Sequence, residues 1–343
     1  MTYSYFPIVR LMRGERTALT HLSVQGKADV KPIFVIGHDK YRAKAATSSQ
    51  PAIAAANVIA SQLQAAWGVN EFYLNASLIP DGQHAHPLAD VALACRQIGL
   101  AMIPVLPFAA TNAYAQACLA AAQTDRRGIM LSVDVPTFAS AAQWIGNFNH
   151  PIAATDLLLD LGDNIGNFSA LGPPAVQMLH QLHGAGSWRA VAIAGTSIPE
   201  NFSGYGAGIH LLPRAELGFW HNAIQSGLPY RLDFSDYTTV STAPAPPGIS
   251  WGFPINAKYT LPSDFLVCRG VGTTGPGAVD MDVQLLAHAQ AIRSYPGRTA
   301  LAHCWADSRI DQIAAGTTGT GNLENWVALA VNRHIEITRH VIP

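Results

Sequence analysis

Two stretches of the chain end in spaced carboxylates: LDLGD carries Asp160 and Asp163, and LDFSDY carries Asp233 and Asp236. Carboxylates brought together from separate stretches can divide acid and base roles when their surroundings pull their pKa values apart, or can hold a hard cation. Asp160 and Asp236 are the candidate acid and base of a hydrolysis. Asp163, followed by Asn164 and Gly166, reads more simply as a turn or helix-capping residue. Cations offer the complementary chemistry. Arg10 and Arg13 near the start, with Lys258, Arg269 and Arg333 toward the end, can present bidentate and point-charge donors to phosphate or carboxylate. The competing structural reading pairs these same cations with the carboxylates as salt bridges. Only 13% of residues are charged, against about 25% in ordinary soluble proteins, so each charged side chain carries weight.

Other groups give thinner signals. AGTSIPEN offers Gly195, Thr196 and Ser197 as small residues that can approach a ligand, but no GxxxxGK[ST] and no GxSxG is present. Ser197 is therefore a candidate ligand contact rather than a nucleophile. His84 and His86 flank Ala85, and His180 and His183 lie three apart, spacings a metal can use, yet neither pair has a carboxylate to complete a set. They read as turn, surface or packing residues. Cys95, Cys118, Cys268 and Cys304 are far apart and form no CxxC, as expected of reduced core cysteines. No metal is assigned, and the sequence names no cofactor. Tyr237, Trp251, Phe253, Tyr259 and Trp305 gather toward the end of the chain near Lys258 and Arg269. They can stack on a base, a sugar or a peptide ring, and Tyr237 and Tyr259 join the candidate ligand contacts.

Something must bring these distant residues together, and the apolar pattern indicates what. Short aliphatic runs alternate with Ala- and Leu-rich amphipathic stretches, the pattern of parallel strands joined by crossover helices. The strands are expected at Phe6 to Leu11, Pro32 to Ile36, Phe72 to Leu78, Ala101 to Leu106, Gly128 to Val133, Asp156 to Leu161, Arg189 to Ala194 and Tyr230 to Phe234. Helices are expected between them at Glu15 to Leu22, Ala52 to Trp67, Leu88 to Ile98, Asn112 to Ala122, Ala139 to Phe148, Pro174 to His183 and Leu212 to Gln225. Eight such strands close a (β/α)8 barrel of the TIM type, whose functional groups gather at the carboxyl ends of the strands. An open doubly wound sheet is the alternative, disfavoured because no GxGxxG follows any strand. Residues 1–237 would supply the barrel and 238–343 a C-terminal extension packed on it as one domain. In that extension the Pro-rich segment Ala243 to Pro254 is an extended connection, and Ala257 to Thr260 with Phe265 to Cys268 a hairpin. Val279 to Arg293 and Asn322 to His334 are helices, one of them covering the last barrel strand, and Gly316 to Asn322 is a Gly-rich loop.

Composition bounds the rest. With 343 residues, 49% of them hydrophobic, the chain can bury a large core. A formal charge of −1, from 21 basic and 22 acidic residues, gives no global field to draw in a polyanion. The opening MTYSYFPIVRLMRGER breaks its apolar run at Arg10 and lacks a signal-peptide core, so secretion is not expected. No apolar stretch approaches the ~20 residues that span a bilayer. A cytoplasmic protein without a membrane partner is expected, its oligomeric state open.

Several segments are familiar as a set. YFPIVRLMRGERTAL, with Arg10, Arg13, Gly14, Glu15, Ala18 and Leu19, resembles the opening of the beta family proteins, named after a phage T4 beta protein and found in phages and bacteria. Further matches are LLLDLGDN, AGTSIPENF, RAELGFW, FSDY, INAKYT, CRG, WADSRI and WVALAVNRHI, and together they span nearly the whole chain. Phe34 and Asn75 stand where that family often has an acidic residue, and Ser132 where it often has a basic one. The resemblance implies no particular reaction. The expectation is a barrel whose mouth binds a small anionic, sugar-like or nucleotide-like ligand, with Arg10 and Arg269 as anchors. Its alternative, implied by the family's distribution, is a noncatalytic recognition protein in phage and host conflict that docks a protein or nucleic-acid partner.

Overall fold

The computed structural model describes residues 3–45, 51–83, 85–166, 173–181, 187–243 and 253–343. Its strands are β1 (Tyr5–Arg10), β2 (Ile33–Val35), β3 (Phe72–Asn75), β4 (Met102–Pro107), β5 (Ile129–Val133), β6 (Thr155–Asp160), β7 (Ala190–Ala194), β8 (Gly208–Pro213), β9 (Leu232–Asp236), β10 (Asn256–Thr260) and β11 (Asp264–Arg269). Eight of them close a parallel barrel in the order β1-β2-β3-β4-β5-β6-β7-β9, sealed where Tyr5 pairs with Phe234 and Pro7 with Asp236. The fold is thus the (β/α)8 barrel that the apolar runs imply. Strands buried on both faces read as near-continuous apolar stretches, which is why all eight stand where the sequence puts them, within a few residues.

Side chains alternate across each barrel strand. Phe6, Ile8, Ile33, Tyr73, Met130 and Leu158 fill the interior, while Tyr5, Val9, Phe34, Phe72, Leu74 and Phe234 face outward to the helices. Those helices are α1 (Arg13–Thr20), α2 (Val24–Asp29), α3 (His38–Ala45), α4 (Pro51–Trp67), α5 (Leu88–Gln97), α6 (Asn112–Asp125), α7 (Val135–Ala139), α8 (Ala141–Trp144), α9 (Pro173–Gln181) and α10 (Ala215–Gln225), followed in the extension by α11 (Met281–Ser294), α12 (Trp305–Ala314) and α13 (Leu323–Val341). Among the described residues no helix is long and apolar enough to cross a membrane.

Local departures from the expected pattern have local causes. The third strand stops at Asn75 because its side-chain oxygen accepts from the Ser77 backbone N–H and hydroxyl at 3.0 and 2.7 Å, folding the chain into a turn. The helix expected from Ala139 to Phe148 is instead two short ones. Asp134 caps the first by accepting from Thr137 N–H at 2.9 Å, and Ser140 separates them. Leu212 and Pro213, expected to begin a helix, end strand β8, whose GIHLLP pairs antiparallel with β11. β8 therefore joins the expected hairpin β10–β11 in a separate three-stranded sheet, ordered β10-β11-β8. Helices α2, α3 and α12 were not legible from apolar period. The bulk of the Pro-rich segment, along with Trp251, His84 and His183, lies outside the described residues.

The small sheet has its own core. Ala257, Tyr259, Leu266 and Cys268 on one face pack with Leu285, Ile310 and Leu329 of α11, α12 and α13. Helix α13 ties the two cores. It packs against α1 at Gly14, where a Cβ would stand 2.8 Å from Val327 Cγ1, so the RGE segment needs its glycine to let the helices meet. Under the sheet, Asp307 accepts from Tyr259 OH at 2.7 Å and from Arg333 Nη1 and Leu301 N–H at 2.8 Å each. Arg333 also donates to Thr260 O and Thr299 O. Arg333 is thus a fully buried structural cation rather than an anion donor at the mouth. Removing the buried partner of such a charge costs about 3–5 kcal/mol. Asp307→Ala should lower the unfolding free energy by that amount in urea titration, and a loss below about 1 kcal/mol would show that the second core does not depend on this pair.

Candidate functional site

The carboxyl-terminal rim is shaped by the segment after β9. Tyr237 OH donates to Asp160 Oδ2 at 2.5 Å, and Asp160 Oδ1 accepts from Gly162 N–H at 2.9 Å. Thr196 Oγ1, after β7, donates to Val240 O at 3.0 Å; Thr242 Oγ1 donates to Asp163; Arg10, ending β1, donates to Ser241 O at 3.0 Å and to Ala243 O. Residues 237–243 are therefore pinned along the rim formed by β6, β7, β9 and β1. Asp163 serves as a long-range tether of this segment through Thr242, rather than through the local turn or helix-capping hydrogen bond expected of it.

Between that rim and the small sheet lies a cleft of about 870 Å³. Its walls come from the segment after β7, the segment after β9, the hairpin β10–β11 and the first turns of α13. Alternation along the hairpin explains its chemistry. Asn256 pairs with Arg269 and Lys258 with Val267, so Asn256, Lys258 and Arg269 share one face, while Ala257, Tyr259 and Cys268 share the other. The first face meets Arg10 across the cleft, and Phe202, Phe253 and Trp326 supply aromatic surface.

Arg10, Lys258 and Arg269 are each half-buried. None has a carboxylate within 4 Å among the described residues. Segment 244–252, which joins the two sides of the cleft in sequence, contains no Asp or Glu. The hydrogen bonds they do make are to neutral groups: Arg10 as above, Lys258 Nζ to Thr239 O at 2.6 Å, and Arg269 Nη1 to Asn256 Oδ1 at 3.4 Å. Glu200 is the one acidic residue on the described lining. Burial pushes the Lys258 amine down to about 8, and the positive charge of Arg10 acts in the same direction. Burial also lowers Arg10, partly offset by the more distant charge of Glu15. A second depression of about 550 Å³ over the segments after β2 and β3 sets His38 and Arg42 against Asp81 and Asp90, a mixed charge with no clear preference.

The remaining candidates lie elsewhere. Arg13 is exposed and pairs with Glu324 at 3.1 Å. Ser197 contacts Glu216 and accepts from Ala215 N–H at 3.0 Å, fixing the start of α10. Tyr259 points into the second core, and Trp305 stacks on His21 with centroids 4.1 Å apart. His86 is buried, its ring within 2.8 Å of Ile79 O and accepting from Leu88 N–H at 3.0 Å. Phe34 belongs to the layer between barrel and helices, edge-on to Phe72, whereas Asn75 and Ser132 are half-buried at the ends of their strands.

Asp160 and Asp236 are not brought together. Asp236 follows the outward parity of Leu232 and Phe234 and is fully buried between the barrel and α13. It accepts from Tyr5 OH at 2.8 Å and from His334 Nε2 at 2.7 Å, with Arg214 Nη2 at 3.5 Å. Burial alone would raise its carboxyl, but His334, Arg214 and Tyr5 outweigh that and hold it below the ordinary range. Beside it, burial pushes Glu216 up to about 7 against the lowering charge of Arg214, 3.7 Å away. The apolar pattern alone could not locate this network. Its signal was the set of charges inside otherwise apolar segments, Arg214 and Glu216 in RAELGFW and His334 in WVALAVNRHI.

A (β/α)8 barrel whose C-terminal extension builds one wall of a cationic cleft at the strand-end rim is the class of protein this chain presents. The chain matches the family described as Beta protein over residues 5–339 and belongs to it. Among curated proteins, none matches the chain.

The two aspartates should respond oppositely to neutralisation. Asp236, held low, contributes stability that is present above the unfolded carboxylate pKa and lost as pH falls through its folded value. Asp236→Asn removes the closer of the two buried carboxylates that face Arg214 and should cost about 3–5 kcal/mol near neutral pH. Burial raises Asp160 above its ordinary value despite the Tyr237 and Gly162 hydrogen bonds. Its contribution is therefore present below the unfolded pKa and lost as pH rises through the folded one. Asp160→Asn, whose side-chain oxygen can still accept, should change stability by about 1 kcal/mol or less. Equal losses in urea titration would contradict this division.

Proposed function

We propose that the protein binds a small anionic ligand carrying a ring, of the sugar-phosphate or nucleotide class, in the cleft beside the barrel rim, with Arg10 and Arg269 as anchors. One observation carries this reading: three cations border one cleft, and none has a carboxylate within 4 Å among the described residues. Taking a cation out of water without a counter-charge is costly. An entering phosphate or carboxylate supplies that charge through bidentate hydrogen bonds with the guanidiniums. Phe202, Phe253 and Trp326 favour a ring attached to the anion. The net charge of −1 gives no global field for a polyanion and favours a small ligand.

Hydrolysis by Asp160 and Asp236 as a pair is not part of this reading, since the two carboxylates serve opposite faces of the barrel wall. Asp160 is held by Tyr237 and the Gly162 N–H and does not line the cleft, where Glu200 is the one acidic residue on the described lining.

Thermal unfolding against inorganic phosphate, pyrophosphate, nucleotides and sugar phosphates tests the proposal, because a ligand at 100 times its Kd stabilises by about 2.7 kcal/mol. At least one phosphate compound should raise the midpoint, and Arg10→Ala or Arg269→Ala should abolish the rise without unfolding the protein. Lys258 keeps its proton below about pH 8 and loses it above, so affinity should weaken as pH rises through that value. Shifts that survive both arginine substitutions would place the ligand elsewhere.

A further inference from the structure

Lys258 differs from the two arginines of the cleft in being able to give up its proton. Its Nζ donates to Thr239 O at 2.6 Å and lies 5.5 Å from the centre of the Phe202 ring. No carboxylate among the described residues pins it as an ammonium, in contrast to Lys31, which Glu71 holds at 3.0 Å. Its own strand places Asn256 and, across the ladder, Arg269 on the same face, and Arg10 lies close enough to repel its charge. Two permanently charged guanidiniums thus flank an amine set against an aromatic ring and a backbone carbonyl. An anion held by Arg10 and Arg269 would leave the rest of its molecule beside Nζ.

We propose that Lys258 is a reactive amine that forms an imine with an aldehyde or ketone group of an anionic ligand held in this cleft. The inference rests on the anion-binding reading above. In the step, the Nζ lone pair attacks the carbonyl carbon and a C–N bond forms as the carbonyl π pair moves to oxygen. That oxygen takes up protons, one from the nitrogen and one from solvent, and leaves as water. The product is a protonated imine, with one proton consumed, one water released and no change of oxidation state. A pKa of about 8 suits the role. At about pH 7.5 such an amine is neutral in roughly a quarter of molecules, against about one in a thousand for an ordinary lysine.

Pyridoxal 5′-phosphate is a direct probe, since it joins an aldehyde to a phosphate. The intact protein would be incubated with it, reduced with borohydride and mapped by peptide mass spectrometry, beside a thermal-shift titration with inorganic phosphate. The expected result is an adduct at Lys258 formed on the order of tenfold or more faster than at Lys27 or Lys31. Its rate should rise through about pH 8, be suppressed by phosphate and fall in Arg10→Ala. Lys258→Arg, which keeps the charge but cannot form an imine, should lose the adduct. Phosphate binding with labelling spread evenly over the lysines overturns the imine inference and leaves the anion reading standing. Labelling of Lys258 that neither phosphate nor Arg10→Ala diminishes overturns it too, because the amine would then be merely accessible. Absence of both phosphate binding and selective labelling removes both. The wild-type measurements decide these cases even if Lys258→Arg fails to fold.

Discussion

The carboxylate of Asp236 is the point at which the barrel, its last helix and its extension are fastened together. It sits on the outward parity of β9, where a barrel strand normally presents an aliphatic side chain to a helix, and it is fully buried there. Its partners come from three separate parts of the chain: Tyr5 from β1, Arg214 from the start of α10, and His334 from the middle of α13. His334 in turn lies 3.1 Å from the Thr260 hydroxyl at the end of β10 and stacks on Phe265 of β11. A buried carboxylate tolerates no loss of such donors, so the position of the small sheet relative to the barrel is fixed by electrostatics as well as by packing.

That fastening determines where the cleft can be. Because Asp236 faces outward, Ser235 and Tyr237 face inward, and Tyr237 reaches Asp160 on the barrel rim. The segment that follows is then pinned back to β1, β6 and β7, while the hairpin stands across from it, carried by the partners of Asp236. The cleft is the gap between these two consequences of one strand end. Neither the barrel nor the extension would form it alone.

The sequence made the barrel legible because hydrophobic burial on both faces of a parallel strand writes itself as an aliphatic run. The same property hid the site. In LDFSDY both parities are buried, so period 2 does not tell which of Asp233 and Asp236 faces the interior, and the pairing of Asp236 with Asp160 could not be tested from pattern. INAKYT is different: in an antiparallel hairpin, alternation does separate faces, and it sets Lys258 apart from Tyr259. Strand β8 was illegible because its residues are half exposed and run directly into a helix, so GIHLLP resembles a helix start until its pairing with β11 is seen. The cations of the cleft were visible individually. Their freedom from carboxylates depends on where every carboxylate goes, which only the folded chain decides.

That allocation is the main argument for a ligand. In a chain so poor in charge, the fully buried guanidiniums are matched: Arg214 with Asp236 and Glu216, and Arg333 with Asp307. The exposed Arg189 is held by the buried Asp156 in a bidentate pair. Asp307 alone receives Tyr259, Arg333 and the Leu301 N–H. Carboxylates thus meet the fully buried guanidiniums, and among the described residues the cleft gathers three half-buried cations whose hydrogen bonds go to backbone carbonyls and an amide oxygen. Carbonyl oxygens can orient a guanidinium or an ammonium but cannot neutralise it, so the cost of partial burial is offset only by a counter-charge. Structural stability gives no reason to gather three cations without a carboxylate partner among the described residues on one surface, which is the ground for the proposed anion site.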